Sequence, residues 1–352
     1  MPSINFQTFS LWLNLAIFAG AGIVVWTAGT RLASYADAIS RRTRLSQAVL
    51  GMLLLGVATS LPEVATTVTA ASIGNAALLA GNLFGGVALQ TAILAIVDVI
   101  AVRGALAYFT PQPVLLLQGV MLLLLLSVAL AGAAAGEPVS FLGIGLTPVL
   151  LLAGYILTVR LSQPGDYLPR WRAINEPEEQ HRPERHESAE GGLDAVPNRR
   201  LYVSCAVSGL AILAAGWALA QTGDALAEQT NLGASFVGVA LVAASTSLPE
   251  LSTTLGAVRR GNHEMAVSNI LGTNCLEVAL FFLADVVYRE GPILAATDRS
   301  AFFAATIGMA VTCMYLLALL ERRDRTIFGM GIGSLAVLLM YITGLVGLYF
   351  LR

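Results

Sequence analysis

Two glutamates stand deep inside apolar stretches of the chain, Glu63 in Thr59-Ser60-Leu61-Pro62-Glu63 and Glu250 in Thr246-Ser247-Leu248-Pro249-Glu250. A charged residue at the centre of a membrane helix costs roughly 2.5–3.5 kcal/mol on insertion scales, which makes an intramembrane carboxylate a functional-site candidate by default. Each glutamate follows a proline that cannot donate to a helix ladder, so the carbonyls near Ala58 and Ser245 are expected to lose their partners. Carboxylates, hydroxyls and freed carbonyls are hard oxygen ligands. They suit calcium and sodium rather than zinc or copper, which take imidazole or thiolate. A kinked helix whose glutamate is sealed by hydrogen bonds would account for one such stretch, but two copies point to an ion site at a repeat interface.

A second pair of segments follows, Gly81-Asn82-Leu83-Phe84-Gly85-Gly86 and Ser268-Asn269-Ile270-Leu271-Gly272-Thr273. Their small residues fit close helix packing. Their polar neighbours carry more: Gln90 aligns with Glu277, four residues after Gly86 and Thr273 respectively. Positions i and i+4 share a helix face, so Thr273 and Glu277 are expected to look into the same cavity as Glu250.

The elements that hold these residues must be membrane helices. The chain has 352 residues, 56% hydrophobic and 12% charged, with a mean hydropathy of +0.75. That excludes an ordinary soluble domain and leaves room for roughly ten helical crossings of about 20 residues each. A net charge of -2, with no basic cluster interleaved with aromatics, excludes a nucleic-acid partner. Cys205, Cys275 and Cys313 lie in apolar runs without metal-ligand spacing and read as packing residues. No basic residue precedes the first apolar run, which is therefore expected to stay as a membrane helix.

Five apolar runs precede a charged, proline-containing segment and five follow it, at about 10–35, 45–72, 76–101, 113–134 and 140–161, then 201–222, 233–258, 263–287, 299–320 and 327–351. The division is thus a membrane repeat over 1–161, a solvated linker over 162–200 and a second membrane repeat over 201–352. Sliding the chain by 187 residues lays one half on the other: 17 of 49 positions agree between 56–104 and 243–291, including Thr66-Thr67, Gly74-Asn75, Asn82, Gly85, Asp98 and Gly104. The same offset pairs Gly29 with Gly216 and Asp37 with Asp224. Five crossings is an odd number, so the second half must enter from the opposite side, giving an inverted repeat. All 20 basic residues are arginines, and a cytoplasmic linker leaves only Arg289, Arg299 and Arg352 outside. The positive-inside bias therefore expects a multi-pass protein of the cytoplasmic membrane with both termini outside and the linker on the cytoplasmic side.

Two copies of T-S-L-P-E followed by G-N-x-x-G resemble the alpha repeats of the sodium/calcium exchanger family, within the calcium/cation antiporter superfamily. The resemblance covers both halves. It implies an all-α protein of ten transmembrane helices in two inverted five-helix repeats, with the second, third, seventh and eighth helices around the ions and with sliding of the first and sixth for alternating access. It further implies that Glu63 and Glu250 bind calcium with oxygens of Thr59 and Thr246, and that Ser60 and Ser247 help to bind sodium. Thr273 replaces the usual serine of the second repeat, and Gln90 and Glu277 stand where members often carry asparagine and aspartate.

Three positions depart from that pattern. Gly86 stands where the first repeat usually offers a serine hydroxyl, so one sodium position is expected to lack a side-chain ligand, and serine or threonine there to raise sodium affinity. Glu277 and Gln90 are each one methylene longer than usual. Three carboxylates in one cavity cannot all stay ionised without cations, which makes proton coupling chemically available. Sodium-driven calcium exchange is the leading expectation and proton-coupled exchange of calcium or another cation the alternative. An enzyme is not expected: there is no H-E-x-x-H, and none of the three histidines lies deep in an apolar run. The expected partners are calcium and sodium ions and the lipid bilayer, with no cofactor; the sequence does not set the oligomeric state, and a monomer is compatible with it.

Overall fold

The protein is described by a computed structural model covering residues 5–43, 59–162 and 196–351, apart from 103, 111, 142, 260, 324 and 328. The start of the second apolar run, 45–58, and most of the linker, 163–195, lie outside the described residues.

Eleven helical segments follow in chain order: α1 (Leu11–Thr43), α2 (Leu61–Ser72), α3 (Ala76–Ala101), α4 (Pro113–Ala135), α5 (Leu146–Ser162), α6 (Asn198–Thr230), α7 (Ala234–Thr246), α8 (Leu248–Arg259), α9 (His263–Val287), α10 (Arg299–Glu321) and α11 (Ile332–Leu351). Among the described residues, seven are long and apolar enough to cross a membrane, and α7 with α8, joined at a 46° bend, makes an eighth. The chain is a mostly helical, multi-pass membrane protein. The duplication holds element by element, because α1, α2 and α3 recur 187 residues later as α6, α8 and α9.

Local chemistry explains the breaks. Proline is accommodated in the first turn of a helix, where its missing N–H has no intrahelical carbonyl to serve. Pro62 is the second residue of α2 and Pro249 the second of α8. Ser60 and Ser247, just ahead of them, adopt nearly the same backbone conformation, φ −83° and ψ 4° against φ −80° and ψ 6°. Each restarted helix then turns sharply into the next through a left-handed glycine, Gly74 at φ 77° and Gly261 at φ 76°.

The all-α expectation needs one correction. The runs expected at 140–161 and 327–351 each begin with a two-stranded hairpin: β1 (Ser140–Phe141) with β2 (Ile144–Gly145), and β3 (Thr326–Ile327) with β4 (Met330–Gly331). Gly143 at φ 84° and Gly329 at φ 80° make these tight turns, and α5 and α11 begin only after them.

The halves interlock. Helix α3 of the first half packs against α10 and α11 of the second, while α9 packs against α4 and α5 of the first. The rings of Phe84 and Phe281 meet at the α3–α9 contact with centroids 4.8 Å apart. Two buried aspartates pin this exchange. Asp98 accepts backbone N–H bonds from Leu106 at 2.8 Å and, across the halves, from Gly331 at 2.9 Å. Asp285 accepts from Ile293 at 2.5 Å and from Gly145 at 2.7 Å.

Helices α1 and α6 run along one another outside this frame, touching it through α8 and α2. The contacts use glycines related by the repeat. A Cβ at Gly29 would stand 2.5 Å from Pro249 Cγ, and one at Gly216 would overlap Ala65. Lipid tails are as apolar as leucine, so such contacts gain from close van der Waals packing rather than from burial. At the end of α6, Asp224 accepts from Asn75 and, at 3.0 Å, from Gln7. The side chain of its repeat partner Asp37 lies outside the described residues.

Candidate functional site

The bent segments bring their polar residues to the middle of the molecule. Helices α3 and α9 contact each other and each packs against both α2 and α8 there, and Glu63 and Glu250 occupy the first turns of α2 and α8. A helix N-terminus carries a partial positive charge, which favours a carboxylate at that position. Conversely, the end of α7 supplies carbonyls: Pro249 has no N–H to offer the Ser245 carbonyl one turn earlier.

All nine residues singled out by the sequence are interior: Thr59, Ser60, Glu63, Gln90, Thr246, Ser247, Glu250, Thr273 and Glu277 are each no more than 3% exposed. Their contacts cross between the halves. The Thr246 hydroxyl lies toward the Glu63 carboxylate and the Thr59 hydroxyl toward that of Glu250. Both oxygens of Glu63 and both of Glu250 are buried without a completed hydrogen bond, as is one oxygen of Glu277. Glu63, Glu250 and Glu277 are near enough to repel one another. Buried charge without hydrogen-bond partners calls for a counter-charge, so the arrangement is chemically fit for cations.

Gln90 and Glu277, equivalent positions of the two repeats, meet: Gln90 Nε2 donates to Glu277 Oε2 at 3.2 Å and lies 3.5 Å from Ser247 Oγ. Equivalent positions of the two halves thus touch in the interior, where α3 meets α9. The Ser60 hydroxyl, the counterpart of Ser247, is buried without a partner.

Gly86 faces Glu277: a Cβ added to it would overlap the Glu277 carboxylate, so the longer acid occupies the space beside it. Thr273 does not join the carboxylates through a hydrogen bond. Its hydroxyl donates to the Asn269 carbonyl at 2.7 Å, and it lines a cavity of about 20 Å³ with Gln118, Tyr155, Ser162 and Asn269. That volume holds about one water. The i, i+4 relation fixed a common helix face but not how far round that face each tip would reach.

Two site residues escaped the sequence reading. Asn82 donates to Thr66 Oγ1 at 3.0 Å and its Oδ1 lies 3.5 Å from the Thr246 hydroxyl, tying α3 to both bent segments. Its identity with Asn269 in the repeat was the available signal. Asn274 bonds Thr91 at 3.2 Å and the Val87 carbonyl at 3.4 Å across the α3–α9 contact. It aligns with Val87, so the repeat gave no sign of it. Asn82 and Asn269 also differ in state, since the Nδ2 of Asn269 is buried without a partner. Among the described residues, no three side chains of the His, Cys, Asp and Glu types converge on one point, so hydroxyls, amides and carbonyls must complete any ion's shell.

The sequence pattern of the sodium/calcium exchanger protein family matches residues 13–161 and 201–349, most of the chain. The chain belongs to the sodium/calcium exchanger family. It is 26% identical over 306 residues to the inner membrane protein YrbG of Escherichia coli K12, covering 84% of this exchanger-family chain and 87% of YrbG. Its fold is shared with the H+/Ca2+ exchanger CAX, with a TM-score of 0.70 at 14% identity over 96% of this chain and 84% of that one. The sodium-calcium exchanger NCX_Mj superposes with a TM-score of 0.58 at 17% identity, over 97% of this chain and all of that one. Membership places the protein among membrane cation exchangers rather than catalytic enzymes.

Proposed function

We propose that this protein is a secondary active antiporter that exchanges calcium for sodium across the cytoplasmic membrane by alternating access. The observation that carries the reading is the reciprocal pair of buried glutamates, each at a restarted helix and each faced by a threonine of the opposite half. Glu63 and Glu250, with oxygens of Thr59 and Thr246, bind calcium; Ser60, Ser247 and Thr273 contribute to sodium, and Gln90 and Glu277 border the calcium position. The architecture is ten transmembrane helices in two inverted repeats, 1–161 and 201–352, joined by the linker 162–200 on the cytoplasmic side with both termini outside. The element-by-element duplication and the meeting of Gln90 with Glu277 support that arrangement.

The mechanism follows from charge. A cavity holding several carboxylates and no cation resists closure, whereas a cavity neutralised by calcium or by sodium can be occluded and carried past the barrier. That difference enforces exchange over leak. Helices α1 and α6, which touch the frame through Gly29 and Gly216, are the elements placed to slide.

Proton-coupled exchange is the second reading, favoured by one observation: the amide of Gln90 is turned toward the Ser247 hydroxyl, whose oxygen sodium would need. Radiolabelled calcium uptake into sealed liposomes tests the choice. Uptake that requires internal sodium at equal pH supports sodium coupling. Uptake that ignores sodium and follows an imposed pH gradient replaces it with proton coupling.

A further inference from the structure

The glycines of α3 do two different jobs. A Cβ at Gly81 would meet the backbone of Ser235, and one at Gly85 would stand 2.6 Å from the Val239 Cα, so these two hold α3 against α7. Gly86 meets no backbone. A Cβ there would overlap Glu277 Oε1, stand 2.6 Å from Glu277 Cδ and 2.9 Å from Oε2, all atoms at the tip of one flexible side chain on α9. The other oxygen of that tip, Oε2, takes the Gln90 amide at 3.2 Å, while Oε1 is buried without a partner. The repeat-related pair, Thr273 with Gln90, is built the other way round. There a side chain is present, and Gln90 turns toward Ser247 and Glu277.

We propose that Gly86 and Glu277 form one size-matched unit, in which the missing side chain at 86 lets the long acid at 277 extend into the space beside α3 and present a carboxylate oxygen where a hydroxyl would otherwise stand. Gly86 is then a positioning residue, acting through Glu277. It determines whether the ion at that place meets a charged or a neutral oxygen. The ionic part of this inference rests on the exchanger reading; the contact itself does not.

Because the obstructed atoms are a side-chain tip, a serine at 86 displaces the carboxylate and leaves the helices packed. Aspartate at 277 withdraws the carboxylate by about 1.5 Å, one carbon–carbon bond, and clears the space. The test is a cycle of parent, G86S, E277D and G86S/E277D. Calcium uptake in liposomes is expected to fall about 10- to 100-fold in G86S, the range for changing a residue that orients a metal ligand. In the E277D background the same serine is expected to cost less than about threefold, because coupled residues are not additive. Equal losses in both backgrounds, or G86S moving calcium like the parent, overturn the pairing. The thermal midpoint of each purified variant without calcium reads the contact alone: G86S is expected to lower it in the parent and not in E277D. If the parent moves no calcium under any gradient, the exchanger reading fails, while the thermal cycle still decides the pairing, equal shifts in both backgrounds refuting it.

Discussion

The aspartate pins give the most direct stability prediction. Asp285 holds two backbone donors, Ile293 N–H at 2.5 Å and Gly145 N–H at 2.7 Å, and only the second belongs to the other half of the chain. Replacing Asp285 with alanine leaves both N–H groups buried without an acceptor. Each orphaned group costs about 1–3 kcal/mol, so the pair costs about 2–6 kcal/mol, a large share of a membrane protein's margin. Asp98, with Leu106 and Gly331, should behave alike, and the double variant should lose the sum because the two pins share no partner. The assay is thermal unfolding of the detergent-solubilised protein followed by size-exclusion recovery, joined to hydrogen exchange at Gly145 and Gly331. Both variants should unfold at lower temperature, with exchange rising at the hairpin of the opposite half. Unchanged midpoints together with unchanged exchange would show that these bonds do not join the halves.

Other expectations follow from the same geometry. Alanine at Asn82 removes the tie from α3 to Thr66 and Thr246 and should weaken the calcium dependence of uptake by about 10- to 100-fold, whereas Asn269→Ala should change it less, since its Nδ2 has no partner to lose. Equal effects at the two asparagines would refute the difference between the halves. Leucine at Gly29 or Gly216 forces α1 off Pro249 or α6 off Ala65 and should cost about 1–3 kcal/mol of stability as well as slowing uptake. A Leu variant with parental uptake would remove those contacts from the transport cycle.

How much of this was legible in the sequence depends on whether the repeat spoke. Thr59 to Glu63 and Thr246 to Glu250 were visible because two copies at a fixed offset cannot both be incidental, and the proline in each fixed where the helix restarts. Gly74 and Gly261 were paired by the same offset, and their left-handed backbone is the reason. The contact of Gly86 with Glu277 was not legible because Glu277 lies on another helix, and spacing along one helix says nothing of what fills the space opposite. Thr273 was placed on the correct helix, yet its hydroxyl turns back to the Asn269 carbonyl. Hydropathy also hid the hairpins before α5 and α11, because a two-residue turn within an apolar run carries only a glycine as its mark. It shortened α1 and α6 as well, both of which continue as helix beyond the apolar stretch, to Thr43 and Thr230. His263 stacks on Phe109 with ring centroids 5.4 Å apart, a contact between segments that the spacing does not show.

The central claim is that Glu63 and Glu250, from opposite halves, make one calcium site. Equilibrium binding of radiolabelled calcium to the purified protein tests it, comparing the parent with E63Q and with E250Q, each checked for a parental elution profile. Saturable binding is expected for the parent and its loss in either variant alone, since neither carboxylate holds the ion without the other. Parental binding retained by either folded variant would contradict it.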